Sequence, residues 1–178
     1  ALIQSYLVLE AQEIAEAKEI GFLVGQHEIT KWLFEIRGVG PGLAGILIGE
    51  YNPYTAPYPS SFWKMTGLDV GPDGRGRGRY AAHLVVRPYR AADGKMKNRK
   101  SLTFNPWVKT KMIGVLGTSF IKQPAAKCLY RMLYDGYKHR LMTDPGRAEL
   151  SPKHVHAMAT RYIVKRFLAD FWAAWRRI

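Results

Sequence analysis

Apolar residues recur at three- and four-residue spacing along most of the chain, which predicts helices. The first such stripe, from Leu2 to about Val24, consists of Ile3, Leu7, Ala11, Ile14, Ala17 and Val24. Glutamates at positions 10, 13, 16 and 19 lie mostly away from this stripe. The pattern predicts a long amphipathic helix, whose stripe either packs on the rest of the chain or pairs with a second copy.

A glycine-rich segment separates two further helical patterns. The apolar positions before it are Ile29, Trp32, Leu33 and Ile36, and those after it are Leu43, Ile46 and Leu47. Gly38, Gly40 and Gly42 alternate through the join, and Pro41 favours the first turn of a helix. We expect two short helices joined by a glycine corner, the helix-hairpin-helix arrangement. A plain glycine turn in an antiparallel helix pair is the alternative.

The remaining patterns predict more helices and one strand-rich insertion. Prolines at 53, 57 and 59 exclude a regular helix there, and a short helix capped by Ser60 or Ser61 should then run from Phe62 to Thr66. Residues 80–89 have strand composition, and residues 92–94 form a turn signal. Further helices are predicted after residue 105, from about 126 to 141 and after residue 151. The first of these has an expected buried side consisting of Val108, Met112, Val115 and Leu116.

The predicted fold is therefore mainly α. It has a helix-hairpin-helix core, a long N-terminal helix, a basic loop or β-hairpin insertion, and C-terminal helices. We divide the chain into an acidic amphipathic arm at 1–36, a core domain at 29–123 with its basic insertion at 71–104, and a C-terminal helical extension at 124–178.

Charge narrows the range of partners. The chain has 27 basic and 14 acidic residues, a net charge of +13. Residues 1–36 carry two lysines and six glutamates, a net of −4, so residues 37–178 carry 25 basic and eight acidic residues, a net of +17. Such an imbalance favours a polyanion, and duplex DNA is the partner that we expect. An anionic membrane surface and an acidic protein are the alternatives.

The basic residues concentrate in one stretch. Residues 71–100 contain nine, opposed only by Asp73 and Asp93: Arg75, Arg77, Arg79, Arg87, Arg90, Lys95, Lys97, Arg99 and Lys100. Glycine and arginine alternate from Gly74 to Arg79, which predicts a flexible segment able to follow a phosphate track. A solvated charged surface without a ligand is the alternative interpretation.

The glycine corner adds a second candidate phosphate site. The amides of Gly40, Gly42 and Leu43 should point outward at the positive end of a helix dipole. The full set of candidate nucleic-acid-binding residues is Arg37, Gly38, Gly40, Gly42, Leu43, Lys64, Arg75, Arg77, Arg79, Lys95, Lys97, Arg99, Lys100, Lys109 and Lys111. The contact predicted in this way is to backbone rather than to base edges.

Several other chemistries find no support in the sequence. His154 and His156, two residues apart on a helix, do not share a face, so no metal site and no cofactor are predicted. Cys128 is the single cysteine, and no stretch approaches the roughly 20 apolar residues of a membrane span. We expect a cytoplasmic protein, associated with a nucleoid or encoded by a phage or mobile element.

Three segments resemble the C-terminal domain of the DEDD transposases of the IS one-hundred-and-ten class, insertion elements guided by a bridge RNA. They are the glycine corner Ile36–Leu43 after an acidic helix, Phe62–Leu68 in the place of that family's tyrosine-alanine-glycine-leucine segment, and the basic segment leading into Asn105-Pro106. The resemblance covers roughly residues 1–123 and implies a role in DNA recombination. Residues 151–177 are similar to transposase-like chains of archaea and phages.

The sequence departs from that family at the catalytic position. The family's serine nucleophile follows the glycine-leucine pair, but no serine lies between Leu68 and Ser101. Ser101 is the remaining candidate nucleophile, and we favour a capping or surface role for it. The family also requires an acidic RuvC-like domain before this one, and these 178 residues are expected to leave no room for it. We therefore interpret the chain as a domain that keeps the DNA contact without the chemistry, or as a fragment. A serine-dependent recombinase and a self-assembling structural protein are the alternatives.

Overall fold

The computed structural model describes residues 2–178 and is mainly α-helical, as the periodicity predicts. The α-helices are α1 (Leu2–Gly25), α2 (Thr30–Glu35), α3 (Pro41–Glu50), α4 (Pro59–Thr66), α5 (Pro106–Thr110), α6 (Thr118–Ile121), α7 (Leu129–Thr143) and α8 (Pro152–Trp175). A π-helical segment, Lys111–Gly117, makes α5 and α6 continuous. Short 3-10 turns occupy Ala81–His83, Ala125–Lys127 and Pro145–Arg147.

Helix α8 forms the centre of the core. It packs against α4, α7 and the π-helical segment, and its buried positions include Ile163, Phe167 and Phe171. Close approach to the π-helical segment depends on Gly117, since a Cβ there would lie 2.8 Å from Cγ2 of Thr160. One hydrophobic cluster runs from Val24 to Trp175, so the C-terminal helices and the N-terminal half share a core.

Most helix ends agree with the sequence signals. The Asn105 side chain accepts hydrogen bonds from the amides of Trp107 and Val108 at 3.0 and 3.2 Å, and Ser151 caps α8. Gly67 ends α4 with a φ of +68°. The predicted serine cap of α4 is wrong: the helix begins at Pro59, because proline suits a first turn in which no amide donation is needed.

The π-helical segment changes which residues are buried. Val108, Met112 and Leu116 are buried as predicted, and Phe120 continues the series at the same four-residue spacing. Val115, predicted to be on the buried side, is 45% exposed. The wider turn of a π-helix keeps residues four apart on one face and rotates Val115 away from it.

Helix α1 packs only at its C-terminal end. Val24 is buried, and a Cβ on Gly45 of α3 would lie 3.3 Å from Ile20. Residues 2–20 are exposed, so the chain itself covers only the last turns of the apolar stripe. Helix α3 packs mainly against α1 rather than α2. Within residues 2–178 no helix is long and apolar enough to cross a membrane.

The predicted hairpin is present as an antiparallel pair, β1 (Val85–Arg90) and β2 (Met96–Ser101). The amide of Gly94 donates to the carbonyl of Ala91 at 2.9 Å, and Gly94 has a φ of +76°. The register places Arg87 opposite Arg99 and Val86 opposite Lys100. We call residues 85–101 the basic arm.

Candidate nucleic-acid interface

The basic arm carries six cations and one carboxylate, a net charge of +5. The carboxylate, Asp93, pairs with Lys97 at 2.9 Å. The other cations are exposed and form no ion pair with a carboxylate among the described residues: Arg87, Arg90, Lys95, Arg99 and Lys100. Like charges directly opposite each other destabilise a strand pair, and the register places Arg87 opposite Arg99, whose guanidinium group lies 5.2 Å from the centre of the Tyr89 ring.

The core gives the basic arm little support. The two strands pack chiefly on each other, and the apolar side chains of Val86 and Met96 are 64% and 66% exposed. An isolated two-stranded hairpin is only marginally stable in water. The arm therefore presents a charged ribbon to solvent and depends on its own ladder and turn.

The glycine-arginine segment is folded rather than a free track. The backbone of Val70 bridges to Gly76, and the amide of Arg77 donates to the carbonyl of Asp69 at 3.0 Å. A buried histidine, His83, holds this turn together. Its Nδ1 accepts from the amide of Gly78 at 3.1 Å, and its Nε2 lies 2.8 Å from Oδ1 of Asp73.

These contacts favour one tautomer of the His83 ring. Because Nδ1 accepts a backbone hydrogen bond, the hydrogen is on Nε2, which donates to Asp73. That hydrogen bond is the main cause of the lowered pKa of the Asp73 carboxyl group. Both ring nitrogens are engaged, so neither is free to act as a general base.

Two of the candidate residues lie in an internal cluster. Arg77 donates to Oδ2 of Asp69 from Nε and Nη2 at 3.1 and 2.7 Å, and this hydrogen bonding raises its pKa. Nζ of Lys109 donates to the carbonyl of Arg77 at 2.6 Å and lies 4.6 Å from the centre of the Phe104 ring. Both cations are thus engaged within the protein, whereas Arg75 and Arg79 are exposed.

This internal cluster consists of the cations Arg77, Lys109, Arg161 and Lys165 and the carboxylate Asp69, so positive charge exceeds negative charge. Burial lowers the pKa of Lys109 to about 8, with a smaller effect from Arg161. Burial also lowers the pKa values of Arg161 and Lys165. Asp69 is the carboxylate that offsets these three charges and that of Arg77, and its Oδ1 has no hydrogen-bond partner within residues 2–178. In the sequence, the four-residue spacing of Arg161 and Lys165 places them on one side of α8.

The glycine corner leaves its three amides without an acceptor in the part of the chain that the structure describes. The carbonyl of Gly38 accepts from Ser119 Oγ at 2.7 Å, which ties the corner to α6. Gly40 and Gly42 are exposed, and a Cβ on either would meet open space. Among residues 2–178 the amides of Gly40, Gly42 and Leu43 have no hydrogen-bond acceptor.

The other candidates differ in their surroundings. Arg37 and Lys64 are exposed, and Nζ of Lys111 lies 5.6 Å from the Trp107 ring centre. Ser101 pairs with Val85 in the ladder, and its hydroxyl forms no hydrogen bond within the described chain. The part of the chain that the structure describes also holds no group of three histidine, cysteine or acidic residues suited to a metal.

Comparison of the chain with protein-family models, with curated proteins and with solved structures finds no match.

Proposed function

We propose that this protein binds duplex DNA through its sugar-phosphate backbone, without catalysing strand transfer. The basic arm carries the proposal: five exposed cations without a carboxylate partner, on a ribbon that has little contact with the core. Most protein–DNA hydrogen bonds go to phosphate and sugar, and arginine and lysine supply them.

The shape of the arm supports duplex DNA as the partner. A two-stranded β-ribbon fits the width of the major groove of B-DNA. With Arg87 opposite Arg99, a phosphate between the two guanidinium groups would replace repulsion by attraction. We therefore expect the arm to be the principal DNA contact.

The glycine corner is the second contact that we propose. Unpaired amides at the N-terminus of α3 suit a backbone phosphate, as in the helix-hairpin-helix motif. The corner's attachment to α6 through Ser119 would hold these amides in place when an anion binds. Because three segments resemble the C-terminal domain of the DEDD transposases, we propose that the protein derives from a transposase. In this proposal Ser101 has a structural role.

The test compares matched charge changes on the arm and on α1. In fluorescence anisotropy with a short duplex, Arg87→Glu should weaken binding by at least about tenfold, since a phosphate contact becomes a repulsion. Lys18→Glu makes the same change on the acidic helix and should have little effect. Equal losses from the two variants would contradict a localised arm contact.

Salt dependence tests the number of phosphate contacts. Replacing Arg87, Lys95, Arg99 and Lys100 together by glutamine should make the slope of log K against log salt shallower by about 3.6, since each lost phosphate contact removes about 0.9. Parallel titrations with single-stranded DNA and RNA identify the preferred polymer. An unchanged slope would overturn the proposed role of the arm.

The corner is tested by Gly40→Glu, with Gly42→Glu as a second variant. Both positions have space for a side chain, so folding should survive. Affinity for the duplex should fall by about tenfold because a carboxylate replaces the phosphate. Gly40→Gln, uncharged and of similar size, should lose less; equal losses would indicate a steric effect instead.

A self-assembling protein is the second candidate, favoured by the exposed apolar residues of α1, such as Ile3, Leu7 and Ile14. A helix of this kind gains free energy by pairing with a second copy. A dimer would also double the number of basic arms, so association and DNA binding are compatible.

A further inference from the structure

A cleft of about 630 Å³ lies between the glycine-arginine segment, residues 74–79, and α8. Its volume is within the range of small-molecule sites. Arg75 and Gly76 line it from the turn, Tyr80 from the following segment, and His154 and Arg161 from α8. Among residues 2–178 no carboxylate lines the cleft, so its polar walls are cationic or neutral.

Arg161 is the main reason to expect a ligand here. Its side chain is half-buried, and within residues 2–178 it forms no hydrogen bond and no ion pair. It lies directly beneath the turn, since a Cβ on Gly76 would be 2.8 Å from its Nη2. The nearby carboxylate of Asp69 is engaged by Arg77 through Oδ2, and its Oδ1 forms no hydrogen bond with Arg161 within residues 2–178. Five N–H donors are thus partly removed from water without an acceptor, which costs free energy until an anion arrives.

The other walls suggest the rest of the ligand. Arg75 adds a second guanidinium group, and paired arginines suit the geometry of a phosphate. Tyr80 is 55% exposed, and the centre of its ring lies 5.3 Å from that of the buried His83 in an edge-to-face contact. An aromatic ring held in this way is a stacking surface for a base.

We propose that this cleft binds one unpaired nucleotide, with its phosphate on Arg161 and Arg75 and its base on Tyr80. The inference rests on the proposed function in one respect, namely that the nucleotide belongs to a bound strand. The site itself can be tested with a free nucleotide. The basic arm would then contact duplex, while the cleft holds a strand end or a displaced base.

The experiment titrates the full chain with adenosine 5′-monophosphate, adenosine and inorganic phosphate, followed by NMR or calorimetry. The monophosphate should bind more tightly than either part alone. Arg161→Gln should weaken binding of both the monophosphate and inorganic phosphate by at least tenfold. Tyr80→Leu should weaken the monophosphate severalfold and leave inorganic phosphate unchanged.

Arg166→Gln is the matched control, since Arg166 is on the same helix but pairs with Asp170 at 3.1 Å. It should leave all three titrations unchanged. Arg75→Gln, at an exposed position, replaces Arg161→Gln if that variant fails to fold, and should also weaken both phosphate ligands. Equal losses from the control, or a monophosphate no tighter than phosphate, would overturn the inference.

The same titrations separate this site from the proposed function. Saturable monophosphate binding by a chain that does not bind duplex would support the cleft and reject duplex binding. Duplex binding that depends on Arg87, together with no monophosphate binding, would reject the cleft alone. A strand end is the occupant if a strand with a 5′-phosphate competes with the monophosphate better than the same strand without it. A displaced base is the occupant if the two strands compete equally.

Discussion

Gly67 and Gly74 have almost the same positive φ angle in very different surroundings. Their φ angles are +68° and +73°. A Cβ on Gly67 would lie 2.6 Å from Cγ of Phe104, whereas one on Gly74 would meet nothing within 4 Å. The pair therefore separates the cost of a left-handed conformation from the cost of a steric clash.

We expect Gly74→Ala to lower the free energy of unfolding by about 1 kcal/mol, the conformational cost alone. Gly67→Ala should lower it by about 3 kcal/mol, because the Phe104 ring must also move. Urea unfolding of both variants measures the difference. Equal losses would show that the ring moves aside at no cost.

Lys109 should make stability depend on pH in the alkaline range. Its folded-state pKa is lowered to about 8, against 10.5 in an unfolded chain. Between these values the unfolded state binds more protons, so stability rises with pH. Relative to Lys109→Met, the native chain should gain about 1 kcal/mol across this range, less than full linkage because part of the side chain is in water. Urea unfolding measures the gain, and a constant difference from pH 8 to 10 would contradict it.

Single residues differ in how far the sequence predicts their role. Asn105 precedes a proline, and this local signal is enough to predict its cap. His83 has no such signal, because its partners Gly78 and Asp73 face it only once the turn has folded. Arg77 is similar: its sequence neighbours predict a free cation, and a partner eight residues earlier engages it.

Among the elements, the basic arm is the one that the sequence predicts best. Strand composition followed by Asp93-Gly94 predicts a loop or a β-hairpin, and the structure has the hairpin, which depends on local turn geometry. The packing of α3 on α1 is not predictable in this way, since it depends on glycine positions that meet only in the folded chain. The π-helical segment also has no local signal in the sequence. The rotation of Val115 away from the buried side was therefore not predictable.

Helix α1 should associate with a second copy. The variant Leu7→Glu with Ile14→Glu places two charges on the stripe and should reduce the mass of the nuclease-treated protein in light scattering. Val8→Glu alters an exposed residue beside the stripe and is the control. A monomeric native chain at working concentrations would contradict the prediction.

At the scale of the whole molecule, charge is separated along the chain. Residues 1–36 have a net charge of −4, and residues 37–178 have a net charge of +17. Most of the acidic part also lies outside the core, since residues 2–20 are exposed. The sequence predicts this polarity from composition alone. The sequence cannot show which cations form hydrogen bonds within the protein, as Arg77 and Lys109 do, because these bonds join residues distant in sequence.

The weak attachment of the basic arm has a consequence for handling the protein. Six lysines and arginines, of which only Arg87 precedes a proline that blocks trypsin, lie on a hairpin with little contact to the core. Trypsin should therefore cut at one of the other five first and leave two fragments that stay together. A bound polyanion would shield these bonds. Brief digestion with and without duplex, read by mass spectrometry, would thus map the contact without any substitution, and cleavage elsewhere first would show that the hairpin is more firmly held than its contacts suggest.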